Sequence, residues 1–167
     1  LILYIFHIHE CFLIIRYRVM ALGAVLFSIA FLHALRIANA SDACSNITYK
    51  TIRDVRRSTA YSATNDLCDR GYIKDELWYR FQSAAGNKMP EENPGLNHCG
   101  TYVPIWMNGA HPDQDGKTEI RTACAGLPFT FPVGCGISYQ IQVIKCGNFY
   151  LYNLKEPDRC SLAYCAG

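Results

Sequence analysis

The sequence predicts a small disulfide-rich β or α+β domain, built of antiparallel strands and hairpins with four disulfides and little helix. Three observations carry that expectation. Eight cysteines fall within residues 41–167, a strict alternation of apolar and polar residues runs from Ile137 to Val143, and no long stretch repeats its apolar residues at helical spacing.

The chain opens with a segment of different character. Residues 1–38 are almost wholly apolar, and the first methionine is Met20, so residues 1–19 read as an upstream or fragment segment. Residues 20–40 read as a secretory signal peptide. The apolar stretch Ala21–Leu32 is interrupted only by Gly23 and Ser28, and Ala38 and Ala40 supply the small-x-small pattern for cleavage after Ala40. The competing reading is an uncleaved anchor, since Val19–Leu35 reaches the lower end of spanning length. Membrane attachment follows only from that second reading. In both, Arg16 and Arg18 stay on the cytoplasmic side, so the chain after Ser41 is exported.

Within the mature region, Thr51–Arg57 holds a turn or two of helix at most. Leu77–Phe81 is aromatic-rich and reads as a strand. Pro90, Pro94 and Gly95 make the next stretch a loop, because proline and glycine interrupt both helix and sheet ladders, and His111–Lys117 is a second turn-rich segment. Ile137, Tyr139, Ile141 and Val143 form one face of a half-buried strand, with Ser138, Gln140 and Gln142 on the other. A second aromatic run, Phe149–Leu154, completes an antiparallel hairpin whose turn lies near Cys146–Asn148.

Charge narrows the partner classes. Of 16 Lys and Arg, three (Arg16, Arg18 and Arg36) precede residue 41; of 14 Asp and Glu, only Glu10 does. The remaining 13 and 13 cancel. A phosphate-reading surface needs a concentrated basic face, so nucleic acid is excluded as a partner. The expected partner is an extracellular protein or glycan-binding molecule whose identity the sequence does not name.

Nine cysteines are present, and Cys11 lies in the leading segment. The other eight are Cys44, Cys68, Cys99, Cys124, Cys135, Cys146, Cys160 and Cys165. In an exported segment of this size an even count signals bridges, each constraining the unfolded chain by roughly 2–4 kcal/mol. Eight cysteines allow about a hundred pairings, and spacing does not choose among them. No two are separated by the two residues typical of a zinc site, so no metal or other cofactor is expected. His7, His9, Glu10 and Cys11 lie close together but in an apolar run without a second ligand pair.

Other candidate chemistry is weaker. His98 and His111, with the chain's serines and carboxylates, contain the residue types of a hydrolase triad, but no Gly-x-Ser-x-Gly turn accompanies them. Eight paired cysteines leave no thiol nucleophile. Asp113, Gln114, Asp115 and Gly116 resemble the start of a calcium loop but lack its third acidic position and closing glutamate. Trp78, Tyr79, Tyr102 and Trp106 suit a core better than a carbohydrate platform. Asn46, Ile47 and Thr48 form an N-glycosylation sequon, which makes Asn46 the expected glycan site; Asn39 also heads one, which cleavage after Ala40 would split.

The runs Cys99–Pro112 (CGTYVPIWMNGAHP), Ile120–Gly126 (IRTACAG), Tyr139–Leu154 and Arg159–Cys165 resemble the eight-cysteine domain shared by uromodulin, the pancreatic secretory granule membrane glycoprotein and the liver-specific zona pellucida protein. The likeness covers roughly residues 42–166. It implies bridges Cys44–Cys146, Cys68–Cys160, Cys99–Cys165 and Cys124–Cys135, and a looser segment from Gly126 to Gly134, where relatives carry a further bridge. It also implies a non-enzymatic module of secreted or lipid-anchored glycoproteins, for binding or scaffolding. The alternative is a soluble decoy whose glycan captures microbial lectins. In relatives the asparagine matching Asn108 carries such a glycan. Here Ala110 stands at the sequon's third position, so Asn108 carries none. The chain is expected to be either a stand-alone domain or part of a longer protein.

Overall fold

The structure, a computed structural model, describes residues 44–62, 67–126 and 134–167. The signal peptide with its cleavage site, the anchor reading, the His7–Cys11 cluster and most of the Gly126–Gly134 segment lie outside the described residues.

Among the described residues, seven strands form one sheet: β1 Tyr49–Ile52, β2 Trp78–Phe81, β3 Val103–Asn108, β4 Thr118–Ala125, β5 Ile137–Cys146, β6 Phe149–Asn153 and β7 Leu162–Tyr164. Their spatial order is β1-β2-β6-β5-β4-β3-β7. The four central strands β6, β5, β4 and β3 run antiparallel to one another, as does β2 against β6; the outermost pairs β1/β2 and β3/β7 are parallel. The small disulfide-rich β domain is thus the observed fold, with parallel edges that local sequence signals do not reveal. Parallel neighbours need a crossover between them; from β3 to β7 the chain makes it by way of β4, β5 and β6.

The β5/β6 hairpin follows directly from the residues that form it. Cys146 pairs with Phe149 across a two-residue turn. Gly147 takes φ of 65° at its first position, a left-handed conformation that glycine adopts without a Cβ clash. Ile141 and Val143 are buried on one face, with Tyr139 half-buried behind them. They meet Tyr79, Phe81, Ile105, Met107 and Tyr152 in the main core, which the irregular chain carrying Ile73, Met89 and Leu96 also joins.

Beyond Val143 the alternation stops, because Ile144 and Cys146 are buried on the opposite face. There a smaller cluster forms with Leu151, against which Cys44, Ile47, Trp78 and Phe149 pack. The sheet therefore carries apolar side chains on both faces at this end.

Two expectations are corrected. Thr51 and Ile52 belong to β1, and only Val55–Arg57 turns, as a single 3-10 turn capped by the Asp54 side chain, which accepts from Arg56 N at 3.0 Å. Tyr102 is 45% exposed, so it is not a core residue, whereas Tyr79 and Trp106 are buried and Trp78 half-buried.

Candidate functional site

Four bridges fix the relation between irregular chain and sheet. Cys44 joins Cys146, Cys68 joins Cys160, Cys99 joins Cys165 and Cys124 joins Cys135. The first three span 102, 92 and 66 residues, and all three end in the C-terminal third of the chain. The fourth closes a local segment of 11 residues between β4 and β5.

Cys44 is placed on the second face of the sheet, beside β5 and β6. Its bridge and the packing of Ile47 hold residues 44–47 against Ile144, Cys146 and Leu151. Between these two anchors Asn46 is exposed, and so is Thr48 just beyond them. Ile47 N donates to Cys44 O at 3.2 Å, closing a turn around the asparagine. Further along, the Arg80 guanidinium lies 4.0 Å from the Phe149 ring centroid, and the Tyr49 ring lies 6.3 Å from the same ring.

On the core face, His111 sits in a chain of hydrogen bonds. Its side chain is 4% exposed, its Nδ1 lies 2.5 Å from Glu91 Oε1, and its Nε2 lies 2.7 Å from the Tyr152 hydroxyl. Burial pulls the imidazole pKa below its usual value, outweighing the opposing pull of Glu91. Donation from His111 holds the Glu91 carboxyl below its usual range. The consistent assignment is therefore neutral imidazole: Nδ1–H donates to the carboxylate, and the tyrosine O–H donates to Nε2. The Tyr152 oxygen in turn accepts from Met89 N at 3.1 Å.

Carboxylate, imidazole and hydroxyl stand in the order of a hydrolase triad, yet Tyr152 is fully buried and burial pushes its pKa up steeply. A nucleophile must meet its substrate, and this hydroxyl belongs to a ring packed edge-on against Phe81. The chain of bonds is a strut joining the Met89–Glu91 segment to β6. Its carboxylate end faces a cleft lined by Thr59, Lys88, Pro90, Glu91, Asn93 and Pro94. His98 does not join it; its Nδ1 lies 3.0 Å from Leu96 O.

A second buried network lies beside β7, at the edge of the sheet. Arg57 Nη1 and Nη2 donate to the two Asp69 carboxylate oxygens at 2.8 and 2.6 Å, and Nη1 also donates to Tyr164 O at 2.9 Å. Tyr164 N donates to Asp69 at 2.7 Å. Burial works against the Arg57 charge, but the bonds to Asp69 outweigh it and raise the guanidinium pKa. The network ties the 3-10 turn and the chain after Cys68 to β7.

Residues 79–166 match the family model of the uromodulin-like domain with eight cysteines. The chain belongs to this family. Over 125 residues it is 40% identical to mouse uromodulin, covering 74% of this chain and 18% of that protein. It is 35% identical to the rat pancreatic secretory granule membrane major glycoprotein GP2 over 128 residues, covering 74% of this chain and 23% of that protein. The chain thus spans about a fifth of the length of these relatives.

The part matched by the family model begins inside β2, so β1, Cys44, Asn46, Arg57 and Asp69 precede it. Two of the four bridges, and the bonds that join Arg57 and Asp69 to Tyr164, reach across that boundary, and the fold therefore extends beyond the matched segment. Arg57 and Asp69 were silent in the sequence, as were Glu91 and Tyr152 as partners of His111. Their partners lie 12 to 107 residues away, where no local pattern points.

The Asp113–Gly116 turn of this uromodulin-like domain is closed by a lysine. Lys145 Nζ donates to Asp113 O at 3.0 Å and lies 3.7 Å from Asp115 Oδ1, which also accepts from Gly147 N. The Lys145 ammonium is thus the positive charge that faces the Asp115 carboxylate. No group of three or more metal-ligating side chains occurs among the described residues, and no helix there is long and apolar enough to cross a membrane.

Proposed function

We propose that this uromodulin-like domain is a non-enzymatic, secreted glycoprotein module, released after Ala40, that works by displaying a rigid surface and a glycan on Asn46 to extracellular partners. One observation carries the reading. The Cys44–Cys146 bridge and Ile47 clamp the sequon onto the sheet while leaving Asn46 and Thr48 in solvent. A sugar there has a fixed origin on a covalently braced scaffold. Four bridges require an oxidising compartment, which the signal-like residues 20–40 would supply. The buried Tyr152 hydroxyl makes the His111 network a structural part of the scaffold.

The test is secretion of the chain from a eukaryotic cell, followed by mass analysis without reduction. The mature product should begin at Ser41, lose mass on amidase removal of N-glycans, and gain about 8 Da on reduction of four bridges. Asn46→Gln should abolish the first mass change and keep the second. A chain retained in the cytosol with reduced thiols, or a secreted chain with unmodified Asn46, would overturn the reading. Binding to microbial surfaces that disappears on deglycosylation would favour the decoy over the display role; binding that persists would remove the decoy.

A further inference from the structure

We infer that Asn108–Gly109, at the exposed end of β3, is a self-modifying site: the free side-chain amide is converted to carboxylate without any enzyme, writing a negative charge and an altered backbone onto the displayed surface. The chemistry is intramolecular. The Gly109 nitrogen attacks the Asn108 side-chain carbon, the carboxamide nitrogen leaves as ammonia, and a five-membered succinimide closes. Water then opens either carbonyl of that ring, giving aspartate or isoaspartate. The sum is one water consumed and one ammonia released, with no oxidant or cofactor.

Four features favour the attack here. Asn108 is exposed and is the last residue of its strand, pairing with Thr122 at the end of the β3/β4 ladder. Its side chain forms no hydrogen bond to any described residue, and neither does the Gly109 N–H that must act as nucleophile. Gly109 carries no Cβ to obstruct ring closure, takes φ of 112°, and has open space around it. Finally, Ala110 denies the amide a sugar, which would otherwise block it as a leaving group.

The comparison within the molecule is sharp. Asn93 Oδ1 accepts from Gly95 N at 2.9 Å, and Asn153 Nδ2 donates to Leu77 O at 3.2 Å, so these amides are held. Asp115–Gly116 has the same small neighbour, but the Asp115 carboxylate accepts from Gly147 N at 3.1 Å and faces Lys145, which pins it. Asn108 alone among the described residues joins a free amide to a following glycine.

The product charge falls near Arg121, whose Nε donates to Ala110 O at 2.8 Å and whose Nη2 donates to Glu119 at 2.6 Å. Opening to isoaspartate would also lengthen the backbone by one carbon at the Asn108/Thr122 pair.

The experiment incubates the folded, bridge-intact protein in mildly alkaline buffer, with samples digested and mapped by mass. The peptide containing Asn108 should gain about 1 Da, as expected of a labile asparagine, and become a substrate for isoaspartyl methyltransferase. Peptides holding Asn46, Asn93, Asn97, Asn148 and Asn153 should be unchanged over the same period. Asn108→Gln should abolish the change while leaving the unusual φ of Gly109 undisturbed. The inference is overturned if folded protein keeps the Asn108 amide while reduced, unfolded chain loses it, or if another asparagine converts first. Neither result depends on whether Asn46 carries a glycan.

Discussion

Replacing Asp69 by Asn removes a single charge and almost no volume, which makes it a clean probe of the Arg57–Asp69 network. The side chains of both residues are 4% exposed or less. In the variant the amide oxygen still accepts from Tyr164 N, but one oxygen facing Arg57 becomes an N–H donor. The guanidinium then keeps Tyr164 O and loses its counter-charge, and its Nε already has no hydrogen-bond partner among the described residues. An unpaired buried charge of this kind costs about 3–5 kcal/mol, against total stabilities of about 5–15 kcal/mol. Urea unfolding followed by tryptophan fluorescence, with all bridges intact, should show the midpoint falling with an unchanged slope. The double variant Arg57→Met/Asp69→Leu removes the unpaired charge but also strips Tyr164 N–H and C=O of their side-chain partners, so it should stay well below the parent. A cost below about 1 kcal/mol for Asp69→Asn, or a double variant as stable as the parent, would refute the view that this pair holds the edge of the sheet.

Acid should weaken the fold through His111. Its folded pKa lies below the unfolded value of 6.5, so its contribution is present at neutral pH and is lost as pH falls below about 6.5. Glu91, also lowered, adds loss in the same direction below its ordinary value of 4.5. Lys88 and Arg121 disfavour the imidazolium further; His111→Gln should flatten the stability profile between neutral pH and about pH 5, measured by thermal melts. Gly86→Ala should destabilise by about 2 kcal/mol or more, since φ is 135° and a Cβ would meet Gly167 backbone atoms at 2.6 Å; the shift in urea midpoint reads it. Removing Cys44–Cys146 should cost more than removing Cys124–Cys135, about 4.7 against about 3 kcal/mol from loop entropy, as read by comparative unfolding of paired Cys→Ser variants.

The hairpin was the most legible element because its information is local. Ile137–Val143 alternates, Gly147 marks the turn and Phe149 resumes the strand. β3 was illegible for the opposite reason: five of its six residues are buried, so no alternation survives, and Pro104 argues against a strand although its neighbours pair with both β4 and β7. β4 hides behind small and polar residues such as Thr118, Thr122 and Ala123, whose places are set by pairing with β5. β7 is three residues long. At the candidate site, the Asn46 sequon was readable as a motif, but its clamp was not, because it needs Ile47 to meet a cluster holding Leu151, which is more than a hundred residues away in the chain.

The two faces of the sheet explain why the bridge to Cys44 does more than shorten the unfolded chain. The main core closes on one face, where irregular chain covers Tyr152 and its neighbours. At the β5/β6 hairpin the other face also buries Ile144, Cys146 and Leu151, and the described segment that lies over them with Cys44 and Ile47 is short. Apolar packing by so few residues is weak at about 25 cal/mol per Å², so the covalent link is what keeps that segment seated. Cutting it would uncover apolar surface and release Asn46 together. Stability of the second face and fixed presentation of the sequon are therefore one property, and a Cys44→Ser/Cys146→Ser chain that kept full stability while its residues 44–48 became protease-sensitive would separate them.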